Sequence, residues 1–282
     1  MNRPLLLLPV ILLVLFAGSD ERSHPAAFTF DNPKINESSG IIASRTYPGV
    51  LWTHNDSGGK PRNYPVFLDP EKAKRYGKRS VKIKKSRNVD WEEIAAYGKG
   101  QLVIGDFGNN ANDRKDLVLY IIDEPDPYND TKAVVRRSIP FSFEDQDAFP
   151  PANRNFDCEA MFVRGERVYL LTKHRSDTKT TLYKLVGNRA VRLSDFEIGG
   201  KVTAADRSTD GRWTAVLTYD DLWLFEGEGE DPFTGKATRI PIRLGQCEAV
   251  CFEGGNVVVT NEEGEVFLFP LERLTARKTP LR

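Results

Sequence analysis

Asp157-Cys158-Glu159-Ala160-Met161 leads into an apolar run, and the next run, Val168-Tyr169-Leu170-Leu171, closes on Thr172, 13 residues after Glu159. The same two features recur four more times. Glu37-Ser38-Ser39-Gly40-Ile41 precedes Thr53, and Asp90-Trp91-Glu92-Glu93-Ile94 precedes Gly105 at the end of Leu102-Val103-Ile104. Lys201-Val202-Thr203-Ala204-Ala205 precedes Thr218, and Gln246-Cys247-Glu248-Ala249-Val250 precedes Thr260. From the third motif position to the closing residue the gaps are 14, 13, 13, 15 and 12 residues, in chain order. The third positions themselves are 53, 67, 44 and 45 residues apart. That spacing is close to the ~40 to 50 residues of a four-stranded propeller blade, with insertions.

Working outward, the stretches between motifs alternate with period two and are separated by Gly, Asn, Asp or Pro turns, the mark of successive strands. Helical candidates are short and charged, Pro70 to Tyr76 and Leu271 to Arg277. The sequence therefore predicts an all-β fold, a five-bladed β-propeller with strands a to d in each blade. The fifth repeat lacks a strand, since only a basic tail follows Glu265 to Leu271, while Ala27-Phe28-Thr29-Phe30 stands alone before the first motif. Placing that N-terminal strand at the outside of the last blade closes the ring and removes a long free edge. The expected organisation is one domain over 26–272 and a basic tail over 273–282. A β-sandwich is the alternative architecture for strands at such regular spacing.

The chain begins differently. Arg3 precedes an unbroken apolar run from Leu5 to Ala17, and Ala17-Gly18-Ser19 supplies small residues before Asp20. This reads as a signal peptide over 1–19. The run has 13 residues, against the about 20 that cross a bilayer, so a membrane anchor is the weaker reading. We expect an exported protein, periplasmic or extracellular, with no stable membrane anchor after cleavage and monomeric. Lys plus Arg and Asp plus Glu number 40 each in the 282 residues, so no net charge draws the chain to nucleic acid. Cys158, Cys247 and Cys251 are an odd set without zinc-ligand spacing. Cys247 and Cys251 stand about 13 Å apart along a strand, beyond a disulfide's reach, which leaves Cys158 with Cys247 as the pair to test.

In a propeller the innermost strands line the channel, so the third motif positions form a ring of Ser39, Glu92, Glu159, Thr203 and Glu248. Converging carboxylates repel one another unless a cation or shared protons intervene. A set of hard oxygens suits calcium, with Ser39, Glu92, Glu159 and Glu248 as ligands. The other reading pairs these glutamates with Lys173 and Lys201 or with nearby backbone. Directly after the closing column come His54, Asp106, Lys173, Tyr219 and Asn261, joined at the same end by Asn55, Asp56, His174, Arg175 and Glu262. His54, Asp106, Lys173 and His174 are the candidate catalytic groups, the histidines because they titrate near neutrality. Asn55, Asp56, Arg175, Tyr219, Asn261 and Glu262 are the candidate ligand contacts. A mouth of mixed charge suits a small polar or anionic ligand such as a phosphoester or a sugar. The alternative is that both histidines are turn residues bonded to local backbone. Lys78 to Arg87 alternates basic residues with Val81 and Ile83, as an exposed outer strand does.

Thr-His-Asn-Asp-Ser-Gly at 53 to 58, Asp-Trp-Glu-Glu-Ile-Ala at 90 to 95, Gly-Asp-Phe-Gly-Asn-Asn at 105 to 110 and Cys-Glu-Ala-Val at 247 to 250 resemble a family of uncharacterised exported bacterial β-propeller proteins over most of 28–270. More loosely, the repeat resembles the family called esterase-like activity of phytase. The ring of Ser39, Glu92, Glu159 and Glu248 resembles that of the five-bladed calcium-dependent nucleotidases, with Thr203 departing from the acidic type. The resemblance implies axial calcium and hydrolysis of small phosphoesters or related esters. A non-catalytic propeller that binds a glycan, peptide or protein partner through the same mouth is the alternative function.

Overall fold

The structure is a computed structural model that describes residues 24–276 and the backbone of Ile11–Leu13. The signal-peptide cut before Asp20 and most of the basic tail lie outside the described residues. With 51% of the described residues in strands and 6% in helices the chain is all-β, as the alternation predicts.

Strand β1 (Ile11–Leu13) and β2 (Phe28–Thr29) are the first elements. β3 (Ser38–Ala43), β4 (Val50–Asn55), β5 (Arg62–Phe67) and, after helix α1 (Pro70–Tyr76), β6 (Val81–Lys84) form the first antiparallel meander. β7 (Trp91–Tyr97), β8 (Gln101–Asp106), β9 (Val118–Asp123) and β10 (Lys132–Pro140) form the second. A short β11 (Ser142–Phe143) precedes the third, β12 (Asp157–Arg164), β13 (Arg167–Lys173), β14 (Lys179–Val186) and β15 (Arg189–Glu197). β16 (Val202–Arg207), β17 (Trp213–Thr218), β18 (Asp221–Glu226) and β19 (Lys236–Pro241) are the fourth. The fifth runs β20 (Cys247–Glu253), β21 (Asn256–Asn261), β22 (Glu265–Pro270), and its outer neighbour is β2, with Phe28 opposite Val266. Helix α2 (Leu271–Thr275) follows.

The first strands of the meanders pack on one another in sequence, β3 on β7, β7 on β12, β12 on β16, β16 on β20, and β20 back on β3. They are therefore enclosed on both faces: β3, β7 and β16 are buried at every residue. The apolar core is divided accordingly into clusters between neighbouring meanders. Met161 and Leu170 meet Val103 and Leu119 in one cluster, Phe162 and Tyr169 meet Trp223 and Phe225 in another, and Val250 and Val257 meet Leu217 and Leu224 in a third. Sheets packed face to face stand about 10 Å apart, a gap that large side chains fill.

Outer edges are paired rather than bare. Val81 and Ile83 of β6 point inward while Lys82 and Lys84 are exposed, as the basic stretch suggests, but the edge itself is closed by parallel pairing of Lys82 with Lys132 of β10. Both short helices fall where expected, α1 starting on an Asp69 cap that accepts from the Glu71 and Lys72 amides at 2.9 and 3.1 Å, with Pro70 at its first position. All three cysteines are free and buried, so the Cys158 to Cys247 disulfide does not form.

Candidate functional site

Each inner hairpin carries one β-bulge, and the extra residue is the third motif position in every case. The register slips across Ser39, Glu92, Glu159, Thr203 and Glu248, between Ser38 and Gly40, Trp91 and Glu93, Cys158 and Ala160, Val202 and Ala204, and Cys247 and Ala249. A bulge frees one residue from the ladder and re-aims its side chain. That is the physical origin of the recurring motif, and in four of the five a small residue follows, Gly40, Ala160, Ala204 and Ala249, with Glu93 the exception. At Gly40 an added Cβ lies 2.8 Å from the Ile94 amide nitrogen and 2.9 Å from the Glu93 Cα.

The bulges open on a cavity of about 220 Å³ lined by Ser39, Glu92, Glu159 and Glu248. Thr203 is turned away, its hydroxyl donating to the Cys247 carbonyl at 2.9 Å. Asp56, Lys173, Arg175, Tyr219 and Glu262 line the same cavity, together with Glu37, Ser38, Asn110 and Gln246, which the sequence reading missed. The register explains which residues arrive. The residues paired just before the bulges are Asn55, Asp106, Thr172, Thr218 and Asn261. The next residues along those second strands are Asp56, Phe107, Lys173, Tyr219 and Glu262. All of these but Phe107 line the cavity.

Three carboxylates gather at one side. Asp56, Asp90 and Glu92 each place an oxygen within 4.8 Å of the other two. Asn88 ties the two turns together, its Nδ2 donating to the Asp56 carbonyl at 2.7 Å and its Oδ1 accepting from the Trp91 amide at 3.2 Å. Ser39 Oγ donates to Glu92 Oε2 at 3.0 Å. Gly108 covers the pair: a Cβ there falls 2.2 Å from Glu92 Oε1 and 2.4 Å from Asp90 Oδ2. Burial, then the negative charge of Asp56, pushes Asp90 up to about 7. Burial and the neighbouring carboxylates raise Glu92 well above the usual range, and burial raises Asp56. These are the signs of like charges crowded with too little solvent.

The other side is a salt-bridge network. Lys173 Nζ donates to Glu159 Oε2 at 3.1 Å and lies 4.9 Å from the centre of the Tyr219 ring. Burial works against the ammonium, but Glu159 holds its pKa above the ordinary lysine value. Arg175 Nε donates to Asp157 Oδ2 at 2.7 Å and its Nη2 lies 3.4 Å from Glu159 Oε1. Glu248 Oε1 accepts from Gln246 Nε2 at 2.6 Å. Of the expected metal ligands, Glu92 with its partner Ser39 sits at the carboxylate triad, Glu159 is held by Lys173 and Arg175, and Glu248 is held by Gln246. Lys201 does not reach the glutamates; its ammonium donates to the carbonyls of His174 and Asp177.

Five expected site residues do not line the cavity. His54 is fully buried, edge-on to Trp91, with Nδ1 at 3.1 Å from the Asn55 carbonyl. Burial lowers its pKa to about 4, so it stays neutral at neutral pH. His174 is fixed through both nitrogens, Nδ1 to Asp177 Oδ1 at 2.7 Å and Nε2 to Thr181 Oγ1 at 2.9 Å, and burial lowers its pKa also. His54 is thus bonded to local backbone but from within β4, and His174 follows β13 bonded to side chains rather than to backbone. Asp106 accepts from the Asp90 amide at 3.0 Å and from Arg114 at 3.1 Å. Asn261 donates to the Leu244 carbonyl at 2.7 Å, and Asn55 to the Lys34 carbonyl at 2.7 Å.

Two carboxyls lie deeper among the inner strands. Glu93, buried, reaches β16 and accepts from the Ala205 amide at 3.0 Å. Asp206 accepts from the Arg207 and Phe252 amides at 2.7 and 2.9 Å and borders a second cavity of about 240 Å³ with Ser44, Arg45 and Glu253. Burial raises Asp206 from 3.8 to about 7. Between those values the unfolded chain gives up the proton that the folded chain keeps, so this group's contribution falls as pH rises from about 4 to 7 and is level above. The loss is up to about 4 kcal/mol. Asp206→Asn has no such slope, and denaturant titrations at pH 4, 5.5, 7 and 8 are expected to diverge from wild type across that window. Parallel curves would exclude the assignment.

No family model matches the chain, and no curated protein matches it. Among solved structures it is similar to a chain of the mitotic checkpoint complex, at 11% identity and a TM-score of 0.39 over 82% of this chain and 60% of that one. It is also similar to the computationally designed Ika8 protein, at 11% identity and a TM-score of 0.35 over 79% of this chain and 56% of that one. The chain thus spans less than two thirds of either.

Proposed function

We propose that the chain is an exported five-bladed β-propeller, closed by its N-terminal strand, that binds a hard divalent cation at the mouth of its channel and a small polar ligand beside it. Each meander then counts as a blade, a reading supported by the closed sequence of contacts among the five inner strands and by the pairing of β2 with β22. The observation that carries the cation is the triad of Asp56, Asp90 and Glu92. The fit is chemical: the donors are all hard oxygens, and only glycine at 108 leaves room for two of them. Such a set suits calcium better than zinc.

Lys173 and Arg175 are already engaged by carboxylates, so an anionic ligand has little free positive charge to meet except that of the cation. A bound cation supplies polarisation of a phosphoryl or carbonyl oxygen and of a water molecule. Lys173 and Tyr219 orient the ligand from the facing wall. Hydrolysis of a phosphoester is therefore one use of the site. Non-catalytic, cation-dependent binding of a glycan, peptide or protein is the second, and it is favoured by the placement of both histidines outside the cavity lining.

Calorimetric titration of chelator-treated protein with calcium and with magnesium tests the reading. One calcium site is expected in the wild type and none in Asp90→Asn; no heat with either ion overturns it. A panel of nitrophenyl phosphate, nucleoside diphosphates and nitrophenyl acetate, run with and without calcium, separates the two uses. Calcium-dependent turnover assigns hydrolysis, and its absence assigns binding.

A further inference from the structure

The outer strands of the sheets differ in what covers them. β6 and β10 cover each other, β15 is covered by β11, and β22 by β2. The free side of β19 has a neighbour of another kind, β1, a three-residue piece of the apolar run that the sequence marks as a leader. Ile11, Leu12 and Leu13 pair in parallel with Ala237, Thr238 and Arg239.

We propose that β19 is a docking edge, and that in a chain lacking the leader it takes up an extended apolar peptide segment of a partner protein as an added parallel strand. Three features support this occupant. First, the edge already holds a strand of that kind in a defined register, so its backbone groups are accessible and aligned. Second, Lys236 and Pro241, residues that discourage edge pairing, stand at the two ends of β19 and leave Ala237 to Arg239 between them as the open window. Third, a strand in this register that runs on past Arg239 reaches Ile240 and Ile242, which border an apolar groove of about 330 Å³ with Phe267, Phe269 and Leu274. Leu268, on the same groove, is 38% exposed.

The face of β19 toward the fold is already fixed. Arg239 makes a two-pronged ion pair with Asp221, at 2.9 and 2.7 Å, and Ala237 is fully buried. An incoming strand therefore adds to a rigid template, and its affinity comes from main-chain hydrogen bonds along the window and apolar contact in the groove. This binding is independent of the carboxylate triad.

The apolar clusters are built from Ala26 onward, so a chain starting at Asp20 keeps its core. The test compares that chain with the complete one by amide exchange over β19, with light scattering to record its mass. The probe is a synthetic peptide of residues 9–16 carrying a lysine tail for solubility, and its control is the same peptide with Leu12→Pro. Among Ala237 to Arg239, the amides that face away from β18 are expected to exchange about tenfold or more faster in the Asp20 chain, while those bonded to β18 serve as the internal control. Excess peptide is expected to restore protection of the outward-facing amides, and the proline peptide to fail because it lacks a donor. Equal protection in the two chains overturns the proposal, as does failure of the peptide to protect. An Asp20 chain that dimerises with β19 protected also overturns it, since the occupant is then a second copy.

Discussion

Calcium is expected to raise the melting temperature of the chelator-treated protein in proportion to the logarithm of its concentration. At a hundredfold excess over the dissociation constant a ligand that binds only the folded chain contributes about 2.7 kcal/mol, or roughly 5 °C or more for a domain of this size. Magnesium, which demands tighter octahedral geometry and gives up its waters reluctantly, is expected to give a smaller rise. The response is tied to three positions. Asp90→Asn and Glu92→Gln each remove one of the crowded charges, so both are expected to melt higher than wild type in chelator and to lose the response to calcium. Gly108→Ala behaves differently, because its Cβ collides with Glu92 Oε1 and Asp90 Oδ2. It is expected to lose the response without the gain in chelator. Scanning calorimetry in chelator and in excess calcium decides: coincident wild-type curves would falsify the cation site.

The bulge positions are legible in the sequence because a bulge has a fixed local grammar. Ser39, Glu92, Glu159, Thr203 and Glu248 occupy the bulge in all five hairpins, and one extra unpaired residue, followed by a small one everywhere except at Glu93, repeats with each hairpin. The second column is less legible, since its threonines do not share one register. The hairpin turns differ in length, and a one-residue change of register moves a side chain to the opposite face. Thus Thr172 and Thr218 pair just before the bulge, whereas Thr53 pairs with Ile41 and Thr260 with Ala249, beyond it. Aligned on the bulge, the column leads to Asp56, Lys173, Tyr219 and Glu262, and it leaves His54 and Asn261 inside. Glycine stands in the column at 105 for a reason no alternation contains, namely that the Phe107 ring lies 1.9 Å from where its Cβ would be.

Asp90 carries a sequence signal of its own. It is the first residue of its motif, and the first positions of the five motifs are Glu37, Asp90, Asp157, Lys201 and Gln246. Glu37 and Gln246 line the cavity, Asp90 joins the triad, and Asp157 holds Arg175. A residue two positions before the bulge lies at the same end of the strand, so polar character there reports the cavity as directly as the bulge does. What the motif does not contain is the division of labour between its glutamates. Glu92 and Glu159 have identical local sequence roles, and they separate only because Lys173 arrives opposite one and Asp56 opposite the other.

That division makes opposite predictions for the two glutamates. Lys173→Met leaves Glu159 buried beside Asp157, with Arg175 at 3.4 Å as the nearby cation. Breaking a buried ion pair from one side costs about 3 kcal/mol or more, a fall of roughly 6 °C or more. Glu159→Gln is expected to destabilise as well, by a smaller amount because the Lys173 ammonium still lies over the Tyr219 ring. Combining the two changes removes both charges, so the double variant is expected to be more stable than Lys173→Met alone, a coupling that a double-mutant cycle reads directly. None of the three is expected to lose the calcium response, because the cation is assigned to Asp56, Asp90 and Glu92. Suppose instead that Glu159→Gln abolishes the calcium response while Lys173→Met melts like wild type. Glu159 is then a cation ligand and Lys173 a bystander, the ring of glutamates converges on the metal as the repeat alone suggested, and the assignment of Asp90 falls.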